Sequence, residues 1–147
     1  MASTRDIEPG AWNTKDGAGG LDVFWADDIA RKEDANWGRF QWNCGPFEER
    51  IIDQFALQGG RRFRASVAWS VDPAFPANAR YELEPGSDID LYITDISGQT
   101  ITRSTTWDNS HEIVEFTPSH PTTVQLRLKR VRCTVAPGTV GWAWFQE

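Results

Sequence analysis

A chain of 147 residues is long enough for one domain with a real hydrophobic core and too short for two of ordinary size. Its formal net charge of −6 disfavours the concentrated basic surface that a phosphate backbone requires, so nucleic acid is not an expected partner. No apolar run of about eighteen residues occurs, so no membrane-spanning helix and no membrane partner are expected, and the N-terminus lacks the basic-then-apolar pattern of a secretory signal.

The composition changes near residue 36, dividing the chain into an N-terminal segment, 1–36, and a β-domain, 37–147. In "LDVFWADDIARK", 21–32, Leu21, Phe24, Trp25 and Ile29 recur at helical spacing, with Asp27, Asp28, Arg31 and Lys32 on the other side. This predicts one short amphipathic helix, entered from the flexible "DGAGG" at 16–20. From about residue 39 the period changes to two, with turn signals every eight to twelve residues. Strands are expected near 39–45, 50–58, 61–71, 88–95, 99–106, 111–117, 122–133 and 139–146. In the third, Phe63, Ala65, Val67 and Trp69 alternate with Arg62, Arg64, Ser66 and Ala68, the pattern of a sheet with one buried and one solvated face. "DISGQ" is a turn whose Gly98 is free to take positive φ. The expected fold is therefore all-β: a two-sheet antiparallel β-sandwich, jelly-roll-like, of about eight strands, with one short N-terminal helix.

The two cysteines, Cys44 and Cys133, form neither a CxxC nor a CxxH pair, which argues against a thiolate zinc site. Two readings stay open: a disulfide joining an early strand to a late one, or two buried free thiols. Eight tryptophans are more than an average domain carries. Trp142 and Trp144 share one face of the last strand, with Ala143 and Phe145 on the other. If the tryptophans face outward they form an exposed ligand-binding platform suited to polysaccharide; if inward, they are core.

Enzymatic chemistry finds little purchase. Ser104, Asp108 and His111 would give a nucleophile, an acid and a base, but on a hairpin with no evident oxyanion hole. Asp88 and Asp90 are two apart on one strand and share a face, as paired glycosidase carboxylates could, yet Tyr92 and Thr94 continue that face as an ordinary polar one. The basic runs "RRFR" and "RLKRVR" would make a cationic patch if their strands were neighbours, or a solvated face cross-linked to Asp and Glu.

The order of these motifs carries a resemblance. Ala68-Trp69 ends an apolar strand, Asp88-Ile89-Asp90-Leu91-Tyr92 forms the next, then come the Gly98 turn, Ser104, Asp108-Asn109 with Glu112, and Val114-Glu115-Phe116. This succession resembles the β-sandwich behind the catalytic domain of many subtilisin-like serine proteases, close to the bacterial pre-peptidase C-terminal domain. "KDGAGGLDVFWADDIAR" is similar to the helix that closes such a catalytic domain, so the likeness runs from about residue 15 to 146. One departure is "SHPTTVQ", which stands where the family has a Gly-Thr-Tyr turn. The resemblance implies a secreted, extracellular protein and a non-catalytic accessory domain whose partner is the parent protease's catalytic domain or its protein substrate. A carbohydrate- or surface-binding module using Trp142 and Trp144 is the alternative. Calcium is the expected cofactor on either chemistry or resemblance: Asp88 and Asp90 on one strand and Asp108, Asn109 and Glu112 in a later corner offer the oxygen ligands a hard cation needs. The competing reading has these carboxylates hydrogen-bonded to turn backbone.

Overall fold

A computed structural model describes residues 4–5, 20–21, 31, 36–45, 49–69, 87–106, 110–133 and 138–147 of the chain. Its elements are all strands: β1 (Thr4–Arg5), β2 (Gly20–Leu21), β3 (Trp37–Trp42), β4 (Glu49–Leu57), β5 (Phe63–Trp69), β6 (Ser87–Asp95), β7 (Thr100–Ser104), β8 (His111–Phe116), β9 (Thr122–Cys133) and β10 (Gly138–Gln146). Every strand expected from the period-two pattern is present, within about three residues at its ends. The amphipathic helix expected over 21–32 is not seen: Leu21 closes β2, paired with Thr4, and apart from Arg31 the rest lies outside the described residues.

Two four-stranded antiparallel sheets form the domain, one ordered β3-β10-β5-β8 and the other β4-β9-β6-β7. From β3 to β10 every successive connection passes from one sheet to the other, except the β6–β7 hairpin. That hairpin is built by its turn. The amide of Asp95 donates to the Gln99 carbonyl at 2.9 Å, the Gly98 amide donates back to Asp95 at 3.1 Å, and Gly98 takes φ +89°, where a side chain would clash. The Asp95 carboxylate accepts from the amides of Ser97 and Gln99 and from the Ser97 hydroxyl, which holds its pKa below the usual carboxylate range.

The alternation in each strand sends one apolar series between the sheets. Phe63, Ala65, Val67 and Trp69 of β5 and Val140 of β10 meet Ile89, Leu91 and Ile93 of β6 and Val124, Leu126 and Leu128 of β9, all of them buried. Register fixes the tryptophans as well. Trp142 lies opposite Val67 and Trp144 opposite Ala65, so both rings turn toward the facing sheet and no outward platform forms from them. Trp144 stacks on Phe55 of β4, ring centroids 4.1 Å apart, and its indole N–H donates to Asp53 Oδ2 at 3.0 Å. Trp142 lies over Gly38, where even a Cβ would come within 2.7 Å of the indole. At the other end of the core, the Trp69 indole donates to the Ser87 carbonyl at 3.2 Å. Two indoles thus each satisfy their one polar atom across the gap between sheets, as buried tryptophan requires.

The outer face of the first sheet is not uniformly solvated. Phe145 and Ser66 point outward yet are buried, so the strict inside-apolar, outside-polar reading of β5 fails at Ser66. The two basic runs fall in different sheets, β5 and β9, and so form no joint cationic patch. Arg62 and Arg64 pair with Glu115, Arg62 also with Glu147, and Arg127 pairs with Glu49.

Cys44, just after β3, and Cys133, at the end of β9, form a disulfide with Cα atoms 5.8 Å apart. It closes a loop of sequence separation 89. In the chain-entropy limit such a link stabilises by about 4.5 kcal/mol. The double variant Cys44→Ser with Cys133→Ser is therefore expected to lose several kcal/mol in urea denaturation, and the intact protein to lose a similar amount on adding reductant.

Candidate functional site

The outward face of the β4-β9-β6-β7 sheet collects polar side chains into rows set by register. Glu49, Lys129 and Asp90 form the first row; Ile51, Arg127, Tyr92 and Arg103 the second; Gln54, Gln125, Thr94 and Thr100 the third. A bulge in β4 at Ile52 absorbs one extra residue, which keeps Gln54 on this face while Ile52 packs against the core.

These side chains are locked to one another. Gln125 Nε2 donates to Gln54 Oε1 at 2.9 Å; Arg127 donates to Gln125 Oε1 through Nε at 3.1 Å and Nη2 at 2.7 Å, and through Nη1 to Glu49 Oε1 at 2.7 Å. The Tyr92 hydroxyl donates to Asp90 Oδ2 at 3.0 Å. Above them lies a cavity of about 180 Å³, walled by Glu49, Tyr92, Thr94, Thr100, Arg127 and Lys129, with Gly98 at its rim. Thr94 is 3 % exposed, and its hydroxyl has no hydrogen-bond partner among the described residues. Burial raises the Asp90 pKa, against the Tyr92 hydrogen bond and the attraction of Lys129 and Arg103, which pull it down. Burial, then the hydrogen bond to Asp90, raises the Tyr92 pKa, so the phenol keeps its proton and acts as a donor.

The expected acidic corner is only partly brought together. Asp108 and Asn109 lie outside the described residues. Asp88 is buried opposite Arg132, and Asp90 belongs to the polar face. Glu112 projects from β8 on the inner side, opposite Val67, and is 1 % exposed. Its carboxylate accepts from the Thr106 amide at 2.9 Å and from the hydroxyls of Ser104 and Thr106. Among the described residues, no three His, Cys, Asp or Glu side chains converge as a metal would need. Of the two readings of these acids, backbone hydrogen bonding is seen at Glu112, and also at Asp95, which the sequence reading passed over.

The Ser104 and His111 pairing is undone by alternation. Ser104 donates to Glu112, while the adjacent His111 turns to the opposite side of β8, across from Ala68. Burial lowers the His111 pKa and favours the neutral ring. Trp142 and Trp144 sit on the inner face, away from the polar rows.

Comparison with known proteins adds no identity. No protein-family model matches the chain, and no curated protein matches it.

Sequence reasoning put Asp90, Tyr92 and Thr94 on one polar face and Arg127 and Lys129 in a basic run, but it did not bring them together and missed Glu49, Gln54, Thr100 and Arg103. Their signal was the polar half of the alternation in β4, β6 and β9, which becomes a surface only once those strands are known to be neighbours.

Glu112 has a pKa raised chiefly by burial, with Asp90 adding to the rise and its hydrogen bonds opposing it. A raised carboxyl favours the protonated fold, so its contribution is complete below the unfolded pKa and is lost as pH rises through the folded one. Glu112→Gln is expected to flatten the fall in stability as pH rises above the ordinary glutamate pKa of about 4.3, measured by urea denaturation, whereas Glu112→Ala should lose roughly 1–3 kcal/mol by stranding the Ser104 and Thr106 donors. With the Glu112 carboxylate held by three donors, thermal melts in calcium and in chelator are expected to superimpose; a rise of several degrees in calcium would instead put a cation in the corner.

Proposed function

We propose that the chain is a non-catalytic accessory domain of a secreted protein, and that it works by recognition: the polar face of the β4-β9-β6-β7 sheet takes a hydroxyl-rich ligand, a segment of saccharide. The observation that carries this reading is the interlocked chain from Gln54 through Gln125 and Arg127 to Glu49 beside the Tyr92–Asp90 pair, of which Glu49, Arg127 and Tyr92 line one cavity. A sugar hydroxyl both donates and accepts, and this surface sets donors (Arg127 and Tyr92, held by their neighbours, and the exposed Lys129) beside acceptors (Glu49, Asp90). Side chains already held by their neighbours lose little freedom on binding, so more of each contact survives as affinity. Tyr92 adds a ring face at the centre of the array, the role first expected of Trp142 and Trp144.

The architecture supports an accessory domain of jelly-roll type. Eight strands ordered β3-β10-β5-β8 against β4-β9-β6-β7, with a single within-sheet hairpin, is the order two Greek keys generate. Its likeness in motif order to the sandwich of subtilisin-like proteases supports attachment to a larger secreted enzyme, and the Cys44–Cys133 disulfide suits an oxidising compartment.

Titration calorimetry of the protein against a panel of soluble polysaccharides tests the reading. At least one neutral polysaccharide is expected to bind, and Tyr92→Ala and Arg127→Met are each expected to weaken it about tenfold or more, near 1.4 kcal/mol, without moving the melting temperature by more than a few degrees. Failure of the whole panel to bind, or binding indifferent to both substitutions, overturns it.

A further inference from the structure

A second cavity, also of about 180 Å³, opens beside the disulfide and is lined by Gln41, Trp42, Asn43, Gly45, Arg50 and Arg130. Arg130 continues the inward series Val124, Leu126 and Leu128 on β9 and is 9 % exposed. Its Nη1 donates to the Asn43 carbonyl at 2.9 Å and its Nη2 to the Gly45 carbonyl, and its Cζ lies 5.8 Å from the Trp42 ring centroid. Arg50, opposite Leu128 on β4, holds its Cζ 4.8 Å over Phe40 and 5.7 Å from Trp42. Two guanidinium groups from one sheet therefore converge on a single indole of the other.

No carboxylate lines this cavity among the described residues. Of the neighbouring described carboxylates, Glu49 holds Arg127 on the outer face, and Asp53 accepts from Trp144. An arginine this buried commonly has an anionic partner, because carbonyl dipoles and ring quadrupoles offset only part of the cost of withdrawing its charge from water. Here a second guanidinium adds repulsion. Arg50 keeps its fork of donors unused by any protein acceptor among the described residues, and that fork matches the paired oxygens of a carboxylate, sulfate or phosphate group.

We propose that the Arg50–Arg130 cavity is a binding site for a single oxyanion group. The group accepts charge-assisted hydrogen bonds from Arg50, lies within the field of Arg130, and enters past the amides of Gln41 and Asn43. The disulfide fixes the Asn43–Gly45 carbonyls that aim Arg130, so the site is pre-formed in the oxidised protein. It shares no residue with the polar face and stands or falls separately from that proposal.

Thermal melts and titration calorimetry with sodium sulfate, phosphate and acetate, each against chloride at matched ionic strength, test the site. The folded protein is expected to melt several degrees higher in at least one of these anions than in chloride. Arg50→Met, which keeps an apolar stem over Phe40 but loses the charge, should reduce the affinity at least tenfold while keeping the wild-type amide spectrum; Tyr92→Ala should leave it unchanged. Preference for acetate identifies a carboxylate ligand, and preference for sulfate or phosphate a tetrahedral one. Equal melting in all salts, or an anion response retained in Arg50→Met, overturns the proposal.

Discussion

Two sheets whose inner faces are apolar at every second residue must cover each other, and that mutual burial is the constraint from which the other features follow. Phe63, Leu91, Ile93, Leu126 and Leu128 are fully excluded from water, and truncating any one of them would both remove apolar contact and leave a cavity. Because the chain changes sheets at nearly every connection, neither sheet can be completed before the other. Most of the pairing is consequently between residues distant in sequence, as in β9 with β4 and β6. The disulfide acts on the same problem from the unfolded side by limiting how far β3 and β9 can separate.

Covering one face of each strand leaves the other face to be solved by polar chemistry. On the β4-β9-β6-β7 sheet the solution is largely mutual: Gln125 and Arg127 reach across to Gln54 and Glu49, and Tyr92 bonds Asp90, so Asp90 and Gln125 are buried although they point away from the core, while the buried Thr94 hydroxyl has no partner among the described residues. Such an array is costly if half satisfied and rigid if complete. Rigidity of this kind is what the proposed recognition surface would draw on. Glu112 solves the same problem at the sandwich edge, where the segment leaving β7 wraps its carboxylate with an amide and two hydroxyls. Glu112 thereby ties β8 to the end of β7.

The two proposed sites lie on different parts of this frame and differ in electrostatics. The polar face mixes cations with carboxylates and suits a neutral partner. The Trp42 cavity presents two guanidinium groups with no acid beside them among the described residues, which suits an anion on a protein that is acidic overall. Both sites rest on strand ends or faces fixed by register, so their geometry derives from the core and not from loop composition.

The period-two pattern alone was enough to locate eight strands, the Gly98 turn and the apolar series of β5, β6 and β9, because alternation is a local property of the chain. It also established that Trp142 and Trp144 share a face. It could not say which face, since Ala143 and Phe145 are an equally apolar alternative; pairing of Trp142 with Val67 and Trp144 with Ala65 decided that. Of the helical spacing at 21–32, only the two ends can be compared: Leu21 pairs as a strand, and Arg31 is helical, the rest lying outside the described residues. The candidate sites were not legible for a different reason. Arg127, Gln125 and Glu49 are unremarkable one by one, and Arg50 and Arg130 are separated by most of a domain; only the register that sets β9 between β4 and β6, and Trp42 across from both arginines, turns them into surfaces. Sequence determined which residues share a side of each strand, and tertiary structure decided which strands are neighbours, because cross-strand pairing depends on contacts the local pattern does not encode.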